Sequence, residues 1–201
     1  MAPKLIKSFS DRISDFFIRQ KIITDDRRAV YSYGLELLLS TLISLLGVGI
    51  ASLLLKDFLG YLCFLAAFIP FRLWAGGYHA DSHFSCFFCF LGIFGAAFAV
   101  TLLLPQTIWK VAAIAAAVIS LCLILPLAPL AHPNKRVNEQ KRQRNKKRSF
   151  ILAILYLILA ITWLLLPAAS FKWLFHLFLG EFFAALSLAA GKIKNLRRSS
   201  P

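Results

Sequence analysis

Charged residues are scarce in this chain of 201 residues, and acidic ones are the scarcest. Only 16% of the residues are charged, with 9 Asp and Glu against 23 Lys and Arg, whereas 59% are hydrophobic. About half the residues of a typical soluble domain are apolar. This composition, with a mean hydropathy of +0.73, therefore excludes a soluble domain of this size and indicates an integral membrane protein.

Cysteine is also sparse, and its four positions show no regular spacing. All four lie in or beside apolar runs: Cys63, Cys86, Cys89 and Cys122. This pattern argues against the disulfide framework of a small extracellular domain. The sequence also lacks an internal repeat, a glycine-rich phosphate loop and a second domain, so residues 1–201 are predicted to form a single membrane-embedded domain.

The net charge of +14 would suggest nucleic acid as the partner of a soluble protein, but here the position of the charges matters more. Residues 1–30 hold seven Lys and Arg, residues 131–149 hold eight, and residues 191–201 hold four. Basic segments flanking apolar spans mark the cytoplasmic side. We therefore expect four spans between the first and second basic segments, two spans after the second, both termini in the cytoplasm, and no nucleic-acid partner.

The apolar pattern predicts an all-α integral membrane protein, a bundle of six transmembrane helices preceded by an amphipathic helix. Residues 4–22 place apolar side chains on one helical face with basic residues between them, which is typical of a helix lying on the membrane surface. A helix packed on the protein's own cytoplasmic side is the alternative. The predicted spans cover about 35–55, 58–74, 84–104, 108–125, 150–166 and 171–190.

Residues able to do chemistry are concentrated between the second and third spans. The pair that we expect to carry catalysis is His79 with Cys86, a base active near neutral pH beside a thiol that is a strong nucleophile once deprotonated. In one unbroken helix the two side chains would lie roughly 10 Å apart along the axis, too far for proton transfer. The pairing therefore requires a break in the helix.

Gly76 and Gly77 supply such a break, because glycine accepts backbone angles that other residues avoid. Asp81 or Ser82 can then cap a new helix that carries Cys86. The N-terminus of that helix would stabilise a thiolate. We expect the loop to fold His79 back over the first turns of the new helix.

Other polar residues are candidates for supporting the chemistry. The supporting or oxyanion candidates are Arg72, Gly76, Gly77, Asp81 and Glu181. Glu181 lies near the middle of the last predicted span, where a carboxyl group needs a partner, water or a proton. Lys135 and Arg136, nearest the membrane exit, are candidates for guiding an acidic segment of a peptide substrate. His176 has no carboxylate or thiol near it in the sequence, which predicts a loop or interface role.

At these residues the chain resembles the AgrB (accessory gene regulator B) family of Gram-positive quorum sensing. The resemblance rests on Arg72-x3-Gly-Gly-x-His79-x6-Cys86 after an apolar span, with Ala128-Pro129 ahead of a basic loop at Asn134-Lys135. It implies a multi-pass cysteine endopeptidase of the bacterial cell membrane that removes the C-terminal tail of a pheromone propeptide and helps close a thiolactone or lactone. It further implies that His79 is the catalytic histidine and Cys86 the nucleophile, and it leaves room for a homodimer. No metal or other cofactor is expected.

Two other functions stay open. His79, His83, Cys86 and Cys89 are residue types that suit zinc, although four positions on one helix face do not close a tetrahedron without a break. A non-catalytic peptide carrier would also have six spans and basic loops. In such a carrier His79 and Cys86 would be replaceable.

Overall fold

The computed structural model describes residues 2–78, 83–130, 138–166 and 171–199. This part of the chain consists of α-helices, two short 3₁₀ turns and connecting segments, without a strand, so the all-α prediction is confirmed. The α-helices are α1 (Ala2–Arg19), α2 (Arg28–Leu54), α3 (Phe58–Trp74), α4 (His83–Leu103), α5 (Trp109–Leu127), α6 (Glu139–Leu165) and α7 (Lys172–Ser199).

Five helical stretches within the described residues are long and apolar enough to cross a membrane, which supports a membrane protein. They are Asp25–Leu54, Phe84–Leu103, Gln106–Leu127, Glu139–Leu165 and Lys172–Arg197. Helix α3 has 17 residues, slightly fewer than the ~20 that a perpendicular span requires. The count of six spans therefore stays a prediction.

Helix α6 begins well before the predicted span at 150–166. From Glu139 onward its first turns consist mainly of Gln, Lys and Arg residues. These are strong helix formers because their unbranched side chains lose little rotamer freedom. The side chain of Asn138 caps the helix by accepting a hydrogen bond from the backbone N–H of Gln140 at 3.1 Å. Helix α6 therefore changes from charged to apolar along its length.

The chain divides into two compact units: residues 1–54 with 80–92, and residues 55–79 with 93–201. We call them unit 1 and unit 2. The prediction that the whole chain forms a single domain stays a prediction.

In unit 1, α1 packs against α2. Asp15 accepts a hydrogen bond from the Arg28 guanidinium at 2.6 Å, and Asp11 accepts one from the Ser32 hydroxyl at 2.5 Å. The hydrogen bond and charge of Arg28 hold the pKa of the Asp15 carboxyl below its ordinary value. These two contacts, one helical turn apart on each helix, keep the helices side by side.

Helix α1 ends at Arg19, three residues before the predicted end at 22. Two phenylalanines of its predicted apolar face, Phe9 and Phe16, are exposed. An exposed apolar face is what a helix at a membrane surface presents. The interfacial location of α1 stays a prediction.

The core of unit 2 is built around α3 and α7. At Gly180 of α7 an added Cβ would overlap the backbone carbonyl oxygen of Phe64 in α3, so the two helices touch backbone to backbone. Large aromatic side chains fill the space around this contact, and five phenylalanines are fully buried: Phe64, Phe71, Phe94, Phe175 and Phe178. Helix α3 continues past Pro70 to Trp74.

Candidate active site

Cys86 lies at the start of α4. The helix begins at His83, so Cys86 stands at its fourth residue, and its side chain is half-buried. The prediction of a new helix carrying Cys86 is confirmed. The neighbouring Cys89 is exposed. No disulfide joins cysteines in the part of the chain that the structure describes.

A close helix contact within unit 1 holds this first part of α4. Phe87, next to Cys86, packs on Gly47 of α2, where an added Cβ would lie 2.6 Å from the phenylalanine ring. The Phe87 ring also meets the Phe88 ring edge-on, with 5.2 Å between the centroids. Gly47 thus lets α4 approach α2 at the turn that carries the thiol.

In unit 2, the segment 75–78 leads from the end of α3 to His79. Helix α3 ends at Trp74, and Gly76 has a φ of 85°, which favours glycine. The predicted break at the glycine pair is therefore confirmed. Ala75 accepts a hydrogen bond at 2.9 Å from the backbone N–H of Leu130, just after α5. The segment is therefore tied to the rest of unit 2.

A second set of bonds ties Tyr78 to α7. Arg72 donates one hydrogen bond to the Tyr78 carbonyl at 2.7 Å and another to the Ser187 hydroxyl at 2.9 Å. The backbone N–H of Tyr78 donates to the Ser187 carbonyl at 2.8 Å and is 3.1 Å from its hydroxyl. The residue immediately before His79 is thus fixed by both of its peptide groups.

Gly77 is enclosed by the same groups. An added Cβ there would overlap the Arg72 guanidinium and lie 2.8 Å from the Ser187 hydroxyl oxygen. At Gly191 of α7, an added Cβ would lie 2.7 Å from Leu130 and 2.9 Å from the carbonyl carbon of Gly77. Two glycines therefore allow the segment 75–78 to lie directly on α7.

Sequence reasoning did not find Ser187. A single serine in an apolar helix usually bonds to its own backbone, and no sequence pattern near it indicates another partner. The nearest available signal was Arg72, a cation in the last turn of an apolar helix that needs polar partners. Only the packing of α3 on α7 identifies Ser187 as one of them.

Four predicted site residues lie outside the described residues: His79, Asp81, Lys135 and Arg136. The pairing of His79 with Cys86 and the guiding role of the two basic residues therefore stay predictions. The backbone of His83 is described as the start of α4. Within the described residues, no three His, Cys, Asp or Glu side chains gather where they could hold a metal ion.

Glu181 is fully buried in α7. Neither of its carboxyl oxygens has a hydrogen-bond partner among the described residues. A carboxyl group at this position was expected to need a partner, water or a proton, and the described residues supply no hydrogen-bond partner. Its supporting role stays a prediction.

A polar cluster lies at the other end of the α3–α7 pair. Asp57, just before α3, lies 2.8 Å from the ring nitrogen Nε2 of the buried His176 and 3.0 Å from Lys172 Nζ. Gly60 leaves room for it, because a Cβ there would lie 2.6 Å from both Asp57 and His176. The interpretation of His176 as a loop or interface residue without a carboxylate is therefore wrong, since the fold brings Asp57 to it.

Comparison with known proteins places these features in a family. The model of the family described as accessory gene regulator B matches residues 10–188 of the 201. The match includes the segment 72–86 and Ser187. No curated protein and no solved structure matches the chain. Because the family match covers most of the length, the chain belongs to the accessory gene regulator B (AgrB) family, and its apolar helices fit a membrane protein of quorum-sensing peptide processing.

Proposed function

We propose that this protein is a membrane-embedded cysteine endopeptidase that removes the C-terminal tail of a quorum-sensing pheromone propeptide. The observation that carries the proposal is the family match, which spans both the Gly-Gly-x-His segment and Cys86. The position of Cys86 at the start of α4, shortly after a glycine break, supports it. The propeptide is the partner that this activity requires.

In the proposed reaction, His79 takes the proton of the Cys86 thiol and the thiolate attacks a peptide carbonyl carbon. A tetrahedral oxyanion forms. It collapses as the C–N bond breaks, and the protonated His79 gives its proton to the departing amine. The tail leaves as a free peptide, and the rest of the propeptide is bound to Cys86 as a thioester.

The thioester then has two fates. Attack by water would give a linear acid, whereas attack by a thiol or hydroxyl within the bound peptide would release a thiolactone or lactone and return the proton to Cys86. A site bordered by apolar helices disfavours water. We therefore expect ring closure to compete well with hydrolysis.

The helix geometry supports Cys86 as the nucleophile. In the first turn of a helix several backbone N–H groups lack partners within the helix, and the helix dipole places positive potential there. Both effects stabilise a thiolate relative to a thiol.

The contacts of Arg72 support a positioning role. Its guanidinium donates to Ser187 and to Tyr78, and these bonds hold the backbone immediately before His79. We therefore propose that Arg72, with Gly76 and Gly77, holds the segment 75–78 in place before His79 and does not bind the oxyanion. Asp81, as an orienting group, and Glu181 are further candidates for support.

The proposed setting is the bacterial cell membrane, with the termini and the site on the cytoplasmic side. The basic residues at the start of the chain, at the start of α6 and at the end of α7 support this orientation. A propeptide made in the cell would then reach the thiol without crossing the membrane, and thiols stay reduced there. Lys135 and Arg136 would attract its acidic segment, and the family resemblance predicts a homodimer.

The proposal is tested by mass spectrometry of a candidate propeptide incubated with the protein in liposomes. We compare the native chain with His79→Ala and Cys86→Ala, and use Cys89→Ala as the matched thiol control. The native chain and the control should release the tail, whereas the other two variants should not. A further loss of one water from the remaining fragment would show ring closure.

Cleavage by Cys86→Ala at the native rate would overturn the assignment of the nucleophile. If the native chain binds the propeptide but never cuts it, the carrier function is correct instead. Metal in stoichiometric amounts, together with loss of cleavage on chelation, would favour the zinc alternative.

A further inference from the structure

Unit 2 contains a cavity of about 530 Å³ at its basic end, where α6 begins and α7 ends. The end of α5 and the segment 128–130 form one wall, and the first turns of α6 and the last turns of α7 form the others. Three basic side chains and one carboxylate line it: Arg142, Lys146, Lys192 and Glu139. The cavity therefore carries net positive charge.

The charge is not evenly distributed within this cavity. Glu139 lies 3.6 Å from Arg142, one helical turn away, so these two side chains offset each other. Lys146 of α6 and Lys192 of α7 contribute the remaining positive charge from two different helices. Two lysines on facing helices suit a compact anion, such as a phosphate group, held between them.

A second cavity of about 340 Å³ adjoins the first. It shares Lys146 and Gln143 with the first cavity, and its other walls are Ile124 and Leu125 of α5 and Lys147 and Phe150 of α6. Lys146 and Phe150 are one helical turn apart, roughly 6 Å along the axis. The two cavities together therefore form a groove along α5 and α6 that is basic as far as Lys147 and apolar at Leu125 and Phe150.

The apolar end of the groove opens on the outer surface of the bundle. Leu125 is 47% exposed and Phe150 is 38% exposed, and they lie on stretches of α5 and α6 that are apolar enough to cross a membrane. Side chains so placed face hydrocarbon in a bilayer. The basic end lies where α6 changes from charged to apolar, which is the depth of lipid headgroups.

We propose that this groove binds an anionic phospholipid. The phosphate lies between Lys146 and Lys192, and one acyl chain follows Leu125 and Phe150 along α5 and α6. An acidic peptide matches the groove less well, because its charges repeat along the chain and it has no apolar tail to cover the second cavity. A phospholipid fits because it has a compact anion at one end and hydrocarbon at the other, as the groove has basic residues at one end and apolar residues at the other.

The test uses the purified full-length protein in neutral detergent, with dioleoyl phosphatidylglycerol or dioleoyl phosphatidylcholine added. Native mass spectrometry counts the lipid molecules that stay bound to each chain, and tryptophan fluorescence measures the midpoint of thermal unfolding. Phosphatidylglycerol should stay bound at one copy per chain and raise the midpoint, whereas phosphatidylcholine should do neither. Dihexanoyl phosphatidylglycerol, with the same headgroup and short chains, should bind much more weakly.

Two double variants with the same change in charge locate the site. Lys146→Gln with Lys192→Gln should weaken phosphatidylglycerol binding about thirtyfold, from about 1 kcal/mol for each lysine near an anionic lipid. Lys141→Gln with Arg144→Gln removes two charges from the same end of α6 outside the groove and should bind as the native chain does. Lys146→Arg with Lys192→Arg keeps the charge and should retain most of the affinity.

Equal binding of the two dioleoyl lipids by the native chain would overturn the proposal, even if a variant fails to fold. So would an equal loss of binding in the Lys141 and Arg144 variant, since it would show attraction to the whole basic end. If an acidic peptide displaces phosphatidylglycerol at equal concentration, the groove is a peptide site instead. If dihexanoyl phosphatidylglycerol binds as tightly as the dioleoyl lipid, the acyl chain does not follow Leu125 and Phe150.

Discussion

Arg72 Nη1 donates a hydrogen bond to the hydroxyl of Ser187 at 2.9 Å, although the two residues are 115 positions apart in the chain. The same hydroxyl lies 3.1 Å from the backbone nitrogen of Tyr78. Ser187 therefore joins the end of α3, the segment before His79 and helix α7 at a single oxygen atom. If catalysis depends on His79, this oxygen helps to fix the position of the backbone immediately before that histidine.

Replacing Ser187 by Ala should lower cleavage of the propeptide by about 10- to 100-fold, since small misplacements of a catalytic group have effects of this size. The variant should still fold, because loss of a buried hydrogen bond to a charged group costs about 1.5–3 kcal/mol. Cleavage rates in liposomes measure the effect, and Ser187→Thr, which keeps the hydroxyl, should recover part of it.

The matched control is Ser120→Ala. Ser120 is buried as well, but its hydroxyl donates to the Ala116 carbonyl of its own helix. This variant should cleave at close to the native rate. Equal losses in the Ser187 and Ser120 variants would show a general effect of removing buried serines and would contradict the positioning role.

Replacing Gly77 by Ala should reduce cleavage even more strongly, because the new methyl group would overlap the Arg72 guanidinium and crowd Ser187. The segment 75–78 would have to move away from α7. Gly92→Ala is the control, since an added Cβ there meets nothing within 4 Å. It should retain activity, and unimpaired cleavage by Gly77→Ala would rule out tight packing of this segment as a requirement.

Replacing Asp57 by Asn should destabilise unit 2, because it removes the carboxylate that faces the buried His176 and Lys172. Breaking a buried charge pair costs about 3–5 kcal/mol of the free energy of unfolding. We expect a loss of about 3 kcal/mol, because Lys172 is partly exposed. The apparent thermal midpoint should fall by roughly 6–12 °C. Glu139→Gln, which alters the exposed pair with Arg142, should change it very little; a comparable fall would show that the burial of Asp57 is unimportant.

The contact between α1 and α2 should weaken in acid. Arg28 lowers the pKa of the folded Asp15 carboxyl below its ordinary value, so the pair contributes stability above the unfolded pKa of about 3.9. That contribution is lost as the pH falls through the lower folded pKa. Helix α1 should therefore exchange its amide hydrogens more slowly in the native chain than in Asp15→Asn at pH 6.

At pH 3 the difference in exchange should be smaller than at pH 6. Comparing the two proteins at the same pH removes the effect of pH on exchange itself. Asp26→Asn, which changes a carboxyl in the turn before α2, serves as the control and should behave as the native chain at both pH values. A difference between native and Asp15→Asn that stays the same at pH 3 would show that the ion pair is not its source.

Much of the helical organisation was predictable because the signals for it are local. Apolar runs of sufficient length predicted the membrane helices, and Gly76 with Gly77 predicted the break between α3 and α4. The early start of α6 was not predicted. The charged stretch 139–148 was interpreted only as a marker of the cytoplasmic side, although its Lys, Arg and Gln residues also favour a helix.

Within the candidate site, the sequence predicted residues that stand out by type. Arg72, the glycine pair and Cys86 are unusual beside apolar spans, and so they could be identified without a structure. Ser187 and His176 were not recognised, because a serine or a histidine within a helix acquires a particular function only through its neighbours.

From the sequence alone it follows that this is a helical membrane protein and which stretch carries its candidate chemistry, and the ends of α3, α4 and α5 follow to within two residues. These properties follow from composition and spacing over short segments. The packing of distant helices is what brings Ser187 to Arg72 and Tyr78, Asp57 to His176, and Lys146 and Lys192 to one groove. Such contacts join distant positions, and they arise because close packing of α3, α5, α6 and α7 brings together polar groups that have no shared pattern along the chain.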